Sequence, residues 1–97
     1  MNGTAPSNPV RDPTAGRLLK ELREDLGLSR QDMPYAMLRA GIKRDHIPSI
    51  RTIYNVEELG QVPRVRTRFA IAKFFERDMT SIWPTTTRAS RREGAFA

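Results

Sequence analysis

The chain of 97 residues is long enough for one small domain, and its hydrophobic content of 38% suffices for one modest core. The absence of cysteine excludes disulfide bonds, thiolate metal sites and cysteine nucleophiles. The formal net charge of +6 favours a polyanionic partner, first of all nucleic acid, although a merely solvated basic surface gives the same charge. No apolar run reaches the roughly 20 residues that span a bilayer. No signal peptide opens the chain, so we expect a cytoplasmic protein.

Both ends of the chain have the composition of disordered segments. Residues 1–11 are rich in Gly, Pro, Ser, Thr and Asn and contain almost nothing to bury. Residues 85–97 are similar, and three arginines make them weakly basic. We therefore expect a disordered arm over 1–11, a folded domain over 12–84 and a disordered basic tail over 85–97.

The first helix is predicted between Asp12 and Gly27. Asp12 is a good capping residue, and Pro13 is favoured at the first helical position. An apolar stripe at helical spacing then faces the core, formed by Ala15, Leu18, Leu19, Leu22 and Leu26.

The second helix begins after a Ser29 and Asp32 pair that has the spacing of a capping box. Pro34 follows closely, and it lies in the first turn if regular helix starts near Asp32. We expect that first turn to be tightened or bent. The apolar face before Gly41 comprises Met33, Ala36, Met37 and Ala40.

Residues 42–48, IKRDHIP, form a polar and basic connector that contains the only histidine, His46. With no second ligand or nucleophile beside it, His46 is expected to have a loop role or to contact phosphate.

The third helix is predicted between Ser49, a good N-cap, and Gly60, which can end the helix in the left-handed conformation. One side is apolar, through Ile53, Val56 and Leu59. The opposite side presents the polar groups that read base edges in a DNA major groove, on Arg51, Tyr54, Asn55 and Glu58. A half-buried helix with a solvated face is the alternative.

A fourth helix is predicted over residues 64–75, and a last short turn begins at Asp78 or Thr80. Phe69 and Phe74 are expected at the margins of the core. The core-facing residues of this part are Val65, Ile71, Ala72, Phe75, Met79, Ile82 and Trp83. The sequence therefore predicts an all-α fold, a compact bundle of about five short helices.

Residues 19–24 (LKELRE) followed by 26–29 (LGLS) resemble the opening of the Cro/CI-like (XRE) helix-turn-helix domains. Residues 49–57 are similar to their recognition helix, and Pro63 with residues 64–83 resembles their fourth and fifth helices. The resemblance covers residues 14–83. It implies a lambda-repressor-like DNA-binding domain, here with an elongated connector between the second and third helices.

The resemblance implies base contacts from the start and exposed face of the third helix, at Ile50, Arg51, Tyr54 and Asn55. Arg51 can donate twice to guanine, Asn55 can pair with adenine, and Ile50 can contact a thymine methyl group. Tyr54 serves a base or a phosphate. Packing of Ile50 against the connector is the alternative for that residue.

The resemblance also implies phosphate contacts near the starts of the second and fourth helices, and the basic connector adds candidates of its own. Arg64 is the strongest candidate, because helical spacing points Arg66 away from it. Arg68 falls where the family has an apolar core residue, so we expect its stem to pack while its head reaches out. A solvated basic face is the alternative for Arg64, Arg66 and Arg68. The full set of predicted phosphate contacts is Ser29, Arg30, Lys43, Arg44, Ser49, Arg64, Arg66 and Arg68.

The family often joins the first helix to the recognition helix by a salt bridge, and Arg23 and Glu57 occupy the matching positions. We expect this pair to orient the third helix more than it stabilises the domain, because desolvation opposes the attraction.

The function expected is a sequence-specific repressor of the Cro-like or short phage immunity type, which binds a double-stranded DNA operator. An excision or recombination directionality factor that bends DNA is one alternative, and an antitoxin-like module that binds a protein is another. We expect no enzyme, cofactor, metal site, small-molecule ligand or membrane association. A homodimer on DNA and a monomer both remain open, as do the operator sequence, the regulated promoter and the choice between repression and activation.

Overall fold

The computed structural model describes residues 11–84, which form a small all-α bundle, as predicted. Its five helices are α1 (Pro13–Asp25), α2 (Asp32–Arg39), α3 (Ile50–Leu59), α4 (Val65–Phe74) and α5 (Met79–Ile82). A 3₁₀ turn, Arg44–His46, lies between α2 and α3. None of the helices in the described range is long and apolar enough to cross a membrane. The predicted arm up to residue 10 and the tail from residue 85 lie outside the described residues.

Hydrogen bonds at the starts of α1 and α2 follow the predicted caps. The Asp12 carboxylate accepts from the amide of Ala15 at 3.0 Å. The Ser29 amide donates to the Asp32 carboxylate at 3.0 Å, and the Asp32 amide donates to the Ser29 hydroxyl at 3.1 Å. Hydrogen bonding from Ser29 to the Asp32 carboxylate lowers the pKa of Asp32, the backbone amide of Ser29 contributing more than its hydroxyl. Because α2 begins at Asp32, Pro34 falls in its first turn, which a bond from the Asp32 amide to the Ser29 carbonyl tightens.

All five helices contribute residues to the core, and the side chain of Trp83 closes it with no exposed surface. Phe74 and Phe75 both pack against the core, and their two rings meet edge to face with centroids 5.0 Å apart. The buried apolar residues are Ala15, Leu19, Met33, Met37, Ile42, Ile53, Val56, Ala70, Ile71, Ala72, Ile82 and Trp83.

Three residues predicted to face the core are instead about half exposed: Leu26 at 57%, Leu59 at 50% and Val65 at 51%. Each lies at the end of a helix, since Leu26 caps α1, Leu59 ends α3 and Val65 begins α4. Helical spacing gives the direction of a side chain, but the side chain is buried only if another helix or loop packs beside that point of the helix. The prediction for these three was therefore wrong. Ala40, the C-cap of α2, is exposed for the same reason.

Arg68 differs most from its expected position. Its residue surface is only 4% exposed, although we expected the guanidinium to reach solvent. Burial lowers the pKa of Arg68. The guanidinium lies inside the domain, so the expectation that it reaches out is wrong, and its burial argues against the phosphate contact predicted for Arg68.

The connector between α2 and α3 is held at both ends, because Ile42 and Pro48 are buried. Ile47 packs against the core as well. The basic residues between these anchors, Lys43 and Arg44, are exposed. The segment that we read as a polar loop is therefore an anchored turn that holds two cations on the surface.

Candidate nucleic-acid interface

The two ends of α3 are fixed by the residues that the sequence pointed to. The Ser49 hydroxyl accepts from the amide of Thr52 at 3.1 Å, which satisfies one of the open donors of the first turn. Gly60 adopts the left-handed conformation, with φ of 70°, and its amide donates to the carbonyl of Asn55. A side chain at position 60 would be strained. The helix is thus limited to residues 50–59.

A buried ion pair fixes the inner side of α3. The Nε atom of Arg23 donates to Oε2 of Glu57 at 2.8 Å, and Nη2 donates to Oε1 at 2.9 Å. The two side chains are 7% and 2% exposed. The hydrogen bonds with Glu57 raise the pKa of Arg23. A third bond, from Nη1 to the carbonyl of Leu28 at 2.7 Å, ties the end of α1 to the same group. The expected link between α1 and α3 is present.

Close backbone contact adds to this link. A Cβ atom built on Gly16 of α1 would lie 2.3 Å from the carbonyl oxygen of Val56, too close for any side chain. Beside it, the amide of Asp12 donates to the carbonyl of Gly60 at 2.6 Å. The Arg11 guanidinium donates to the carbonyl of Leu59 at 2.7 Å, so it caps the end of α3. Arg11, assigned to the disordered arm, is therefore part of the folded domain and pairs with Gln61.

The outer side of α3 carries the four residues predicted to contact bases. Ile50 is 45% exposed, Tyr54 is 46% exposed, Arg51 is exposed and Asn55 is half-buried. Together with Arg30 they line one open groove with a volume of about 490 Å³. Ile50 is therefore partly open to a partner, and the part of its surface that is covered leaves packing against the connector as an alternative. We call this groove, lined by residues 30, 50, 51, 54 and 55, the outer groove.

Arg30 joins the outer groove to the ion pair beneath it. Its Nε donates to Oε1 of Glu57 at 2.9 Å, and its Nη2 donates to Glu58. The Cζ atom lies 5.2 Å from the centroid of the Tyr54 ring, within the range of a cation–π contact. Lys20 also pairs with Glu58 at 3.2 Å. The hydrogen bond from Lys20 contributes most to lowering the pKa of Glu58, and Arg30 adds to it.

These contacts change how the roles of Glu58 and Arg30 are interpreted. Glu58, which lies on the same side of the third helix as the predicted base contacts, is paired with Lys20 and Arg30 within the protein. The guanidinium of Arg30, predicted as a phosphate contact, is paired with the carboxylates of Glu57 and Glu58 in the unbound protein. The hydroxyl and amide of Ser29 are likewise used in the cap of α2.

A second groove, of about 450 Å³, lies between the connector and the starts of α3 and α4. Ser49, Arg64 and Arg66 line it together with the acidic Asp45. Arg64 is at the N-cap position of α4 and makes no side-chain capping bond, and the positive end of the helix dipole lies there. Helical spacing predicted that Arg66 points away from Arg64, but both side chains are exposed and line the same groove.

Neither the Arg30 contact with Tyr54 nor the Arg11 cap on α3 was predictable from the sequence, because both join residues 24 or more positions apart. The described residues contain no group of three or more His, Asp or Glu side chains that could hold a metal ion. No family model matches the chain, and no curated protein or solved structure matches it significantly.

Proposed function

We propose that this protein is a sequence-specific DNA-binding repressor of the Cro-like or short phage immunity type, with α3 in the major groove. The observation that carries the proposal is the outer groove itself. An exposed guanidinium, an exposed phenol and a half-buried carboxamide line a groove on one side of a helix whose other side is held by a buried ion pair. Rigid presentation of such groups is what direct reading of base edges requires.

The distribution of cations supports the same proposal. Arg64 and Arg66 are exposed in the groove beside the first turn of α3, and Lys43 and Arg44 are exposed on the connector that precedes this helix. In this proposal they contact the phosphates that flank the major groove. Asp45 is the acidic residue among them. In this proposal the protein works in the cytoplasm and represses by occluding a promoter. It binds either as a monomer or as a homodimer on a two-fold operator.

The test begins with selection of bound duplexes from a random pool by the full chain, followed by paired variants. Arg51→Ala should weaken binding to the preferred duplex by about 1–3 kcal/mol and relax the preference for one base pair. Arg64→Ala should weaken binding to preferred and scrambled duplexes alike, and should reduce the slope of log K against log salt by about one.

Lys73→Ala is the matched control, because Lys73 is an exposed cation that lines neither groove described so far. It should change neither preference nor salt slope. Equal loss for Arg51→Ala on every duplex would remove it from base reading. Failure of the wild type to distinguish any duplex at low salt would refute the proposed function, and bending of DNA without sequence preference would favour the directionality-factor alternative.

One observation favours a second candidate, a module that binds a protein. Phe69 is 59% exposed and lies in an apolar-lined groove of about 590 Å³ with Met79, Lys73, Arg77 and Asp78. The two cations exceed the single acid, and a second copy of a chain with net charge +6 would be repelled. The occupant that fits is therefore an acidic amphipathic segment of another protein.

A designed amphipathic peptide with a leucine stripe and flanking glutamates tests this candidate. It should shift the NMR signals of the Phe69 ring, and a peptide with lysines in place of the glutamates should not. Phe69→Ala should abolish the binding. Absence of shifts at millimolar peptide would contradict the candidate.

A further inference from the structure

The outer groove has an apolar half and a polar half. Ile50 and Tyr54 are four residues apart, so they lie one above the other on the helix, about 6 Å apart along its axis. Arg51 and Asn55 repeat the same spacing beside them. The groove is therefore bounded by an aliphatic side chain and an aromatic ring on one side, and by a guanidinium and a carboxamide on the other.

Contacts within the protein hold the aromatic half in place. The Arg30 guanidinium lies over the Tyr54 ring, and Glu57 and Glu58 fix that guanidinium from below. Glu57 is itself fixed by Arg23. The Tyr54 ring is thus supported by a chain of ion pairs that reaches into the core. Arg30 is a positioning residue in this arrangement, because it acts through Tyr54.

Ile50 is the aliphatic member of the groove, and almost half of its surface is exposed at the start of the helix. In the major groove of DNA the apolar group offered to a protein is the methyl group on C5 of a pyrimidine. The neighbouring Arg51 carries the donors that suit O6 and N7 of guanine.

From this geometry we propose that the outer groove binds a 5-methyl pyrimidine next to guanine in duplex DNA. The methyl group lies against Ile50 and the Tyr54 ring, and Arg51 donates to the guanine. Thymine and 5-methylcytosine both supply this chemistry. The inference rests on the proposed function and names the base step that its reading helix recognises.

The experiment changes single methyl groups on the selected duplex and measures binding of the full chain. Replacing thymine by deoxyuridine removes only the methyl group, and replacing cytosine by 5-methylcytosine adds one. At one pyrimidine beside a guanine, the duplex with the methyl group should bind about fourfold more tightly, which is the effect of burying one methyl group. If the loss appears when thymine is replaced by deoxyuridine, the recognised base is thymine. If the gain appears when cytosine is replaced by 5-methylcytosine, the recognised base is 5-methylcytosine.

Variants assign the effect to the groove. Ile50→Ala and Tyr54→Ala should bind the duplexes with and without the methyl group equally, while a methyl group changed outside the contacted site should have no effect on any variant. Both residues are exposed, so melting curves should show that these variants remain folded. Arg30→Lys retains the charge but lacks the planar fork that bonds both glutamates, so it should reduce the methyl effect without abolishing binding.

The outcomes separate the two proposals. Selective binding of a duplex with no methyl-sensitive position beside a guanine would overturn the inference and leave the proposed function standing. The same holds for a methyl effect that persists in both Ile50→Ala and Tyr54→Ala. Indifference of the wild type to all duplexes would refute the proposed function, and the inference with it.

Discussion

The inner and outer sides of α3 use the same residue types for opposite purposes. On the inner side, Arg23 meets Glu57 out of contact with solvent. On the outer side, Arg51 is exposed in an open groove. An arginine whose donors are used within the protein contributes to the fold, whereas one whose donors face solvent is available to a partner. Changes on the inner side should therefore alter stability, and changes on the outer side should alter binding alone.

The largest expected effect is that of Arg23→Ala. Removal of one partner leaves the Glu57 carboxylate buried, with Arg30 as its remaining cation, so we expect the free energy of unfolding to fall by about 3–5 kcal/mol. Urea denaturation followed by circular dichroism measures it. This expectation replaces that of a purely orienting pair, because both side chains are more buried than the sequence indicated.

Arg17→Ala serves as the control for this variant, since Arg17 is an exposed arginine on the same helix. Its stability should stay within about 0.5 kcal/mol of the wild type. An Arg23→Ala protein as stable as the control would show that the pair does not hold α3, and the distinction between the two sides would fail.

A smaller effect is expected for Gly16→Ala. The added methyl carbon would lie 2.3 Å from the backbone oxygen of Val56, so α1 and α3 must move apart. Strain of this kind costs about 1–3 kcal/mol. Thr14→Ala, on an exposed position of α1, should be close to neutral in the same denaturation experiment. If Gly16→Ala were as stable as Thr14→Ala, the close contact of the two helices could not be what sets the position of α3.

The smallest of the three effects belongs to Ser49, which lies where the two sides of α3 meet. Ser49→Ala removes the acceptor for the Thr52 amide and should lower the free energy of unfolding by about 1 kcal/mol. Ser49→Thr retains a hydroxyl and should recover most of that loss. Equal losses for both variants would mean that the cap contributes little and that packing alone fixes the first turn.

Much of the fold was predictable because its signals are local. The caps at Asp12, Ser29 and Ser49 and the left-handed Gly60 each depend on a few consecutive residues, and the structure has all of them. The outward direction of Arg51 and Tyr54 follows from helical spacing alone, which is why the exposed side of α3 could be listed in advance.

What could not be predicted depends on elements far apart in the chain. Arg68 was expected to pack its stem and extend its head to solvent, and only the packing of the bundle around it decides that the whole side chain is buried. Arg30 was assigned to phosphate because it follows Ser29, while its partners Glu57 and Glu58 are 27 and 28 residues away. Spacing along one helix says nothing about which carboxylate a neighbouring helix will bring.

The tie between Arg11 and the end of α3 has a practical consequence for engineering this protein. A fusion partner or purification tag joined ahead of residue 1 is connected to that tie by ten residues, which reach at most about 36 Å when fully extended. Such a fusion partner is therefore tethered within reach of the DNA-reading helix proposed above, and can compete sterically with a duplex. Binding measurements are best made on tag-free protein.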